Sequence, residues 1–237
     1  MSEPRDHLAL ALDVGGFDTA RPLARRLSPW FAIVKVGYEL YAEVGPTVFD
    51  AFHEDGFAVF ADLKFLDIPT TVERGARALG RRGVDFLNFH AVGGEEMLRA
   101  GVDGLAAGAR DAGHDPPVAL AVTVLTSEPD ASAVPERLRA AQRAGCDGVV
   151  CAAGEAGGAR DLGLAPFVPG VRLDVTDVQD QARVSTPGAA CRAGAEWLVI
   201  GRTVTGAPDP ERAAARVAAD VGDALADLGS PSLRRSR

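Results

Sequence analysis

Apolar residues recur along the chain in short runs, each followed by a polar or glycine-containing turn and then by a stretch with helical spacing. The runs fall at 8–12, 31–36, 57–63, 84–89, 118–125, 147–151, 167–171 and 197–200. They are continuous rather than alternating, as expected of strands buried on both faces. Between them, apolar positions three and four apart predict helices at 19–27, 46–54, 71–81, 95–112, 135–144 and 186–193. Asp18 or Thr19 is the expected cap of the first. Asp209-Pro210-Glu211 opens a last helix that runs to about Leu228. Pro69 is expected to stop regular structure after the third strand.

Eight strands alternating with helices, in a chain of 237 residues, predict an α/β protein built as a single (β/α)8 TIM barrel, a fold of about 250 residues. A doubly wound open sheet is the structural alternative and more usually has five or six strands. No linker divides the chain. Residues 1–229 are assigned to one catalytic barrel and 230–237 to a disordered basic tail.

Composition narrows the class. With 47% hydrophobic and 24% charged residues the chain reads as an ordinary soluble domain, and its net charge of -8 argues against a nucleic-acid partner. No run is long enough to span a membrane, and the polar N-terminus carries no signal-peptide pattern. Three cysteines without a CxxC pair are expected to be reduced, which points to the cytoplasm.

Lysine usage changes the picture most. Arginine supplies 23 of the 25 cations; the two lysines, Lys35 and Lys64, both sit in apolar strands. An amine can exchange a proton near neutral pH and a guanidinium cannot. Asp62 and Lys64 are two apart at the end of the third strand, so both side chains leave one face, and Asp67 follows. An isolated Asp-x-Lys is more often a structural ion pair. Here, however, polar groups close almost every strand: Asp13, Lys35, Asp62 with Lys64, His90, Thr126-Ser127, Arg172 and Gly201-Arg202. In such a barrel these ends share one rim, where active sites lie. Asp13, Lys35, Asp62 and Lys64 can alternate in charge, each amine between carboxylates and so protonated. Gly201-Arg202 follows the last strand, a frequent phosphate position, and Gln181 on the preceding loop could donate another hydrogen bond. The residues thus point to a phosphorylated small molecule held at one end and worked on by a lysine at the other. Asp62 and Asp67 as Mg²⁺ ligands are a weaker reading, because Lys64 competes for them. His90 is read as a packing or hydrogen-bonding histidine.

The stretch Asp62-Leu63-Lys64-Phe65-Leu66-Asp67-Ile68-Pro69-Thr70-Thr71 is similar to the D-x-K-x-x-D-I-P-x-T signature of the orotidine 5'-phosphate decarboxylase family. Leu12-Asp13, Lys35-Val36-Gly37, Asn88-Phe89-His90, Leu125-Thr126-Ser127, Pro169-Gly170-Val171-Arg172, Asp180-Gln181-Ala182-Arg183 and Val199-Ile200-Gly201-Arg202 extend the resemblance in the family's order. It implies decarboxylation of orotidine 5'-monophosphate to UMP in pyrimidine synthesis, without cofactor or metal. Lys64 would protonate C6 and Asp62 would stand against the substrate carboxylate. Asp13 and Lys35 would hold the ribose, Thr126 or Ser127 the pyrimidine. Gln181, Gly201 and Arg202 would take the phosphate, with Arg172 close by. The resemblance further implies a homodimer in which Asp67 and Thr71 reach the partner's site. The sequence departs from the family at Thr70, usually Asn, and after Arg172, where Leu173-Asp174-Val175 replaces Pro-x-Gly. The sister 3-keto-L-gulonate 6-phosphate decarboxylases share D-x-K-x-x-D but resemble Mg²⁺ enzymes; Pro69, Thr71 and the Asp180-Gln181 loop separate this chain from them. A nucleotide-binding regulator without catalysis is the rival of another class, opposed by the intact Asp62, Lys64 and Asp67.

Overall fold

The computed structural model describes residues 3–125, 127–128, 130–173 and 185–229. Its strands are β1 (Leu8–Ala11), β2 (Ile33–Val36), β3 (Ala58–Phe65), β4 (Phe86–His90), β5 (Val118–Val122), β6 (Gly148–Val150), β7 (Ala165–Val168) and β8 (Trp197–Ile200). They pair in parallel, each with its sequence neighbour, and β8 closes on β1. Around them lie α1 (Phe17–Leu27), α2 (Tyr38–Val44), α3 (Thr47–Glu54), α4 (Pro69–Gly80), α5 (Gly94–Ala112), α6 (Val134–Ala144), α7 (Ala156–Asp161), α8 (Pro187–Arg192), α9 (Arg202–Thr205) and α10 (Pro210–Asp227). The expected (β/α)8 barrel is the observed architecture.

Alternate residues of each strand face opposite sides, which splits the core in two. Ala9, Ile33, Phe60, Phe86, Leu120, Phe167 and Val199 fill the barrel, while Leu10, Val34, Val59, Leu87, Val149 and Leu198 pack outward against the helices. Phe60 stacks on Phe167 at 4.8 Å between ring centroids, and Phe86 meets Trp197 edge-on at 5.1 Å. These rings plug the interior. One step further along the same faces, Ile33 is succeeded by Lys35, Phe60 by Asp62 and Phe86 by Asn88. An apolar floor therefore carries a polar mouth at the C-terminal ends of the strands.

The helix that follows the Asp62–Lys64 stretch is held tightly. A side chain at Gly104 or Gly108 of α5 would strike the backbone carbonyls of Glu73 and Arg77 in α4. Only glycine permits that approach.

Several local expectations are corrected. Pro69 does not stop regular structure but opens α4 at its first position, where a missing N–H costs nothing. Helix α1 begins at Phe17 with Gly16 as its cap, and the Phe17 N–H is taken by Glu43 of α2 at 3.4 Å. Asp18 lies in the first turn, where the helix dipole favours it. The strands β3 and β4 run further than expected, through Phe65 and His90, whereas β5 stops at Val122 and β7 at Val168. Helices α2, α7 and α9, of seven, six and four residues, are not among the elements the spacing predicts. The basic tail 230–237 lies outside the described residues.

Candidate active site

Four charged side chains from three neighbouring strands form a continuous line at the barrel mouth. Asp13 Oδ2 lies 3.4 Å from Lys35 Nζ, Lys35 Nζ lies 3.0 Å from Asp62 Oδ2, and Asp62 Oδ1 lies 2.6 Å from Lys64 Nζ. Parallel pairing of β1, β2 and β3 brings residues 22 to 51 positions apart into this order. Burial alone would pull the Lys35 ammonium toward neutrality, but Asp62 and Asp13 outweigh it and hold its pKa above the ordinary value. Burial would likewise raise Asp62, yet Lys35, Lys64 and Asn88 bring it down to about 2. Asp62 is thus a carboxylate with an ammonium on each oxygen. The expectation that both amines sit between carboxylates holds for Lys35 only. Among the described residues Lys64 pairs with Asp62 alone, and the Tyr38 ring flanks its ammonium with the centroid 5.9 Å away.

Strand β3 is irregular where it matters. Ala61 pairs with Leu87 and Phe65 with Phe89, so Asp62, Leu63 and Lys64 together oppose Asn88 alone. In this bulge Lys64 has φ +41°, the one left-handed non-glycine residue among those described, a conformation worth about 1–2 kcal/mol of strain. Side chains take over the ladder's missing bonds. The Lys64 N–H donates to Asn88 Oδ1 at 2.7 Å, and the Tyr38 hydroxyl donates to the Leu63 carbonyl at 2.9 Å. Asn88 Nδ2 donates in turn to Asp62 Oδ1 at 2.7 Å.

A cavity of about 420 Å³ opens above this line. One wall carries Asp13, Lys35, Asp62 and Lys64, and the other carries Pro169, Gly170, Arg172, Gly201, Arg202 and Thr205. Arg172 is buried, its guanidinium donating to the Val171 carbonyl at 3.0 Å, which also accepts from Thr203 Oγ1 at 3.0 Å. Gly201 caps the short helix α9, and Arg202 is its first residue. Val122, Val124 and Leu125 from the end of β5 give the cavity an apolar side. Charged groups at both ends and an apolar flank suit an amphipathic anion.

The other described sequence-predicted residues do not line this cavity. Asp67 and Thr71 are exposed and do not line this cavity; Asp67 Oδ1 accepts the Ile68 N–H at 2.6 Å. Ser127 is exposed and also outside the lining. Thr126 and Gln181 lie outside the described residues. His90 ends β4, and its pKa is lowered by burial and then by Arg137 and Lys64. Sequence reasoning assigned no role to Asn88, Tyr38 or Thr205. The signal for Asn88 was the one used for the lysines: a lone polar residue inside an apolar strand.

The chain matches the sequence model described as "Orotidine 5'-phosphate decarboxylase / HUMPS family" over residues 6–217. It is similar to the orotidine 5'-phosphate decarboxylase of Moorella thermoacetica, with 43% identity over 92% of each chain. It is also similar to that of Anaeromyxobacter sp. strain K, with 41% identity over 92% of this chain and 99% of that one. Among solved structures, the orotidine 5'-phosphate decarboxylase of Lactobacillus acidophilus superposes with a TM-score of 0.75 and 32% identity, over 90% of this chain and 98% of that one. An uncharacterized conserved protein from Geobacillus kaustophilus gives a TM-score of 0.77 and 33% identity, over 90% and 99%. A family match along most of its length and relatives above 40% identity place this chain in the orotidine 5'-phosphate decarboxylase / HUMPS family.

Proposed function

We propose that the protein decarboxylates orotidine 5'-monophosphate to UMP in pyrimidine biosynthesis, with Lys64 as general acid and no cofactor. The observation that carries this reading is the Asp13–Lys35–Asp62–Lys64 line on one wall of a cavity whose other wall holds Gly201 and Arg202. The phosphate sits against Gly201, Arg202 and Gln181, with Arg172 near; the ribose hydroxyls meet Asp13 and Lys35; Thr126 or Ser127 meets the pyrimidine. The bond from C6 to the carboxylate breaks, its electron pair stays on C6, and carbon dioxide leaves. The Lys64 ammonium delivers a proton to C6 and is later reprotonated from solvent. Asp62 stands beside the departing carboxylate, so charge repulsion is relieved as the reaction proceeds, and it aims Lys64. Binding energy at the distant phosphate supports the change at the ring.

Both Asp62 oxygens are engaged by ammonium groups, the positions a divalent ion would need, which favours metal-free chemistry over a sugar-phosphate decarboxylase that uses Mg²⁺. Asp67 and Thr71 point to a homodimer: they lie outside the chain's own cavity, beside the exposed apolar residues Leu66 and Ile68, and would complete the site of a second copy. A cytoplasmic setting suits three buried cysteines, Cys146, Cys151 and Cys191, and among the described residues no helix is long and apolar enough to cross a membrane.

The test is the loss of orotidine 5'-monophosphate absorbance on adding purified protein, with and without EDTA. Rapid loss in both supports the reading. Loss only without EDTA transfers the site to metal chemistry, and no loss from a folded dimer overturns it.

A further inference from the structure

Asn88 is fully buried in β4 and faces the bulge of β3. In a regular ladder the N–H groups of Asp62, Leu63 and Lys64 would bond to neighbouring backbone, but this segment has three residues where β4 has one. Asn88 supplies the missing partner. Its Oδ1 accepts the Lys64 N–H and its Nδ2 donates to Asp62 Oδ1, both at 2.7 Å. The orientation of the amide is fixed, because a backbone N–H can only donate and an ionised carboxylate can only accept. Asp62 Oδ1 is also the oxygen that holds the Lys64 ammonium, at 2.6 Å. One amide therefore grips Lys64 at both ends: its backbone directly, and its Nζ through the shared carboxylate oxygen.

We infer that Asn88 is a positioning residue that holds the Lys64 ammonium at the reacting carbon, acting through the left-handed Lys64 backbone and the Asp62 carboxylate. This rests on the decarboxylase reading of the site. Asparagine suits the place for a chemical reason. Leucine matches its branching, with somewhat more bulk, but neither donates nor accepts. Aspartate matches its shape, but when ionised it sets a second negative charge against Asp62; only when protonated does it reproduce both bonds.

The experiment compares wild type, Asn88→Leu and Asn88→Asp in turnover of orotidine 5'-monophosphate across pH 4 to 9, together with UMP affinity and thermal melting. For Asn88→Leu, kcat falls on the order of a hundredfold, the effect of a misplacement near 1 Å. KM and UMP affinity stay within about threefold, because the phosphate wall is untouched. For Asn88→Asp, kcat recovers toward the acid side and declines as the proton shared with Asp62 is lost, a titration that wild type lacks. A kcat for Asn88→Leu within about threefold of wild type overturns the inference. So does an Asn88→Asp pH profile parallel to wild type. If Asn88→Leu loses UMP binding and melting temperature together with kcat, the residue is merely structural and the inference also fails. Inactivity of wild type itself is a failure of the decarboxylase reading, seen before any variant is made.

Discussion

Lys35 Nζ lies 3.0 Å from Asp62 Oδ2, on the side of the carboxylate away from Lys64. The contact prevents Asp62 from swinging and makes its ionisation part of the fold. Asp62 titrates at about 2 rather than its usual 3.8. A carboxylate with a lowered folded pKa stabilises above its unfolded value and loses that contribution as the pH falls through the folded one. Asp62 should therefore contribute roughly 2 kcal/mol above pH 4 that disappears toward pH 2. Urea unfolding of wild type and Asp62→Asn between pH 5 and pH 2 checks this. The difference in stability between the two proteins should shift by that amount over the window, and parallel curves would deny the coupling.

On the proposed reading, replacing Lys64 by alanine should abolish the proton donor and leave the wall of Gly201 and Arg202 intact. Turnover should fall on the order of 10⁴-fold or more, with UMP affinity little changed. Calorimetric titration with UMP beside the absorbance assay separates the two effects. Near-normal turnover would exclude Lys64 as the acid.

On the proposed reading Arg202 holds the phosphate, so Arg202→Ala should remove a charge-assisted contact worth about 2 kcal/mol. KM should rise roughly thirtyfold, with a smaller effect on kcat at saturation. An unchanged KM would remove Arg202 from the phosphate site.

The proposed homodimer has a kinetic signature at Asp67. Lys64→Ala and Asp67→Ala should each be inactive as homodimers. In a mixed dimer one site recovers both native residues, so random reassembly of equal amounts should restore roughly a quarter of wild-type activity. Failure to complement, with exchange of subunits verified by mass, would mean that Asp67 acts within its own chain.

The sequence by itself determined that eight apolar strands alternate with helices and that polar residues gather near the strand ends, because the alternation of apolar runs with helical periods is a local property. The ends of β3, β4, β5 and β7, one to three residues from where the pattern put them, were set by pairing. It also singled out Lys35 and Lys64, since an amine in a chain that otherwise uses arginine is a chemical choice. Lateral neighbours were decided by the tertiary structure. That Asn88 faces a bulge, that Tyr38 holds the Leu63 carbonyl and that Lys64 adopts a left-handed backbone follow from the pairing register of β3 with β4 and the docking of α2. Residues 24 and 25 positions apart meet there, a relation that no local pattern encodes. The cap of α1 was misread for the same reason: its partner, Glu43, arrives from another helix. Local pattern fixes the parts of a barrel, and closure of the sheet fixes which parts touch.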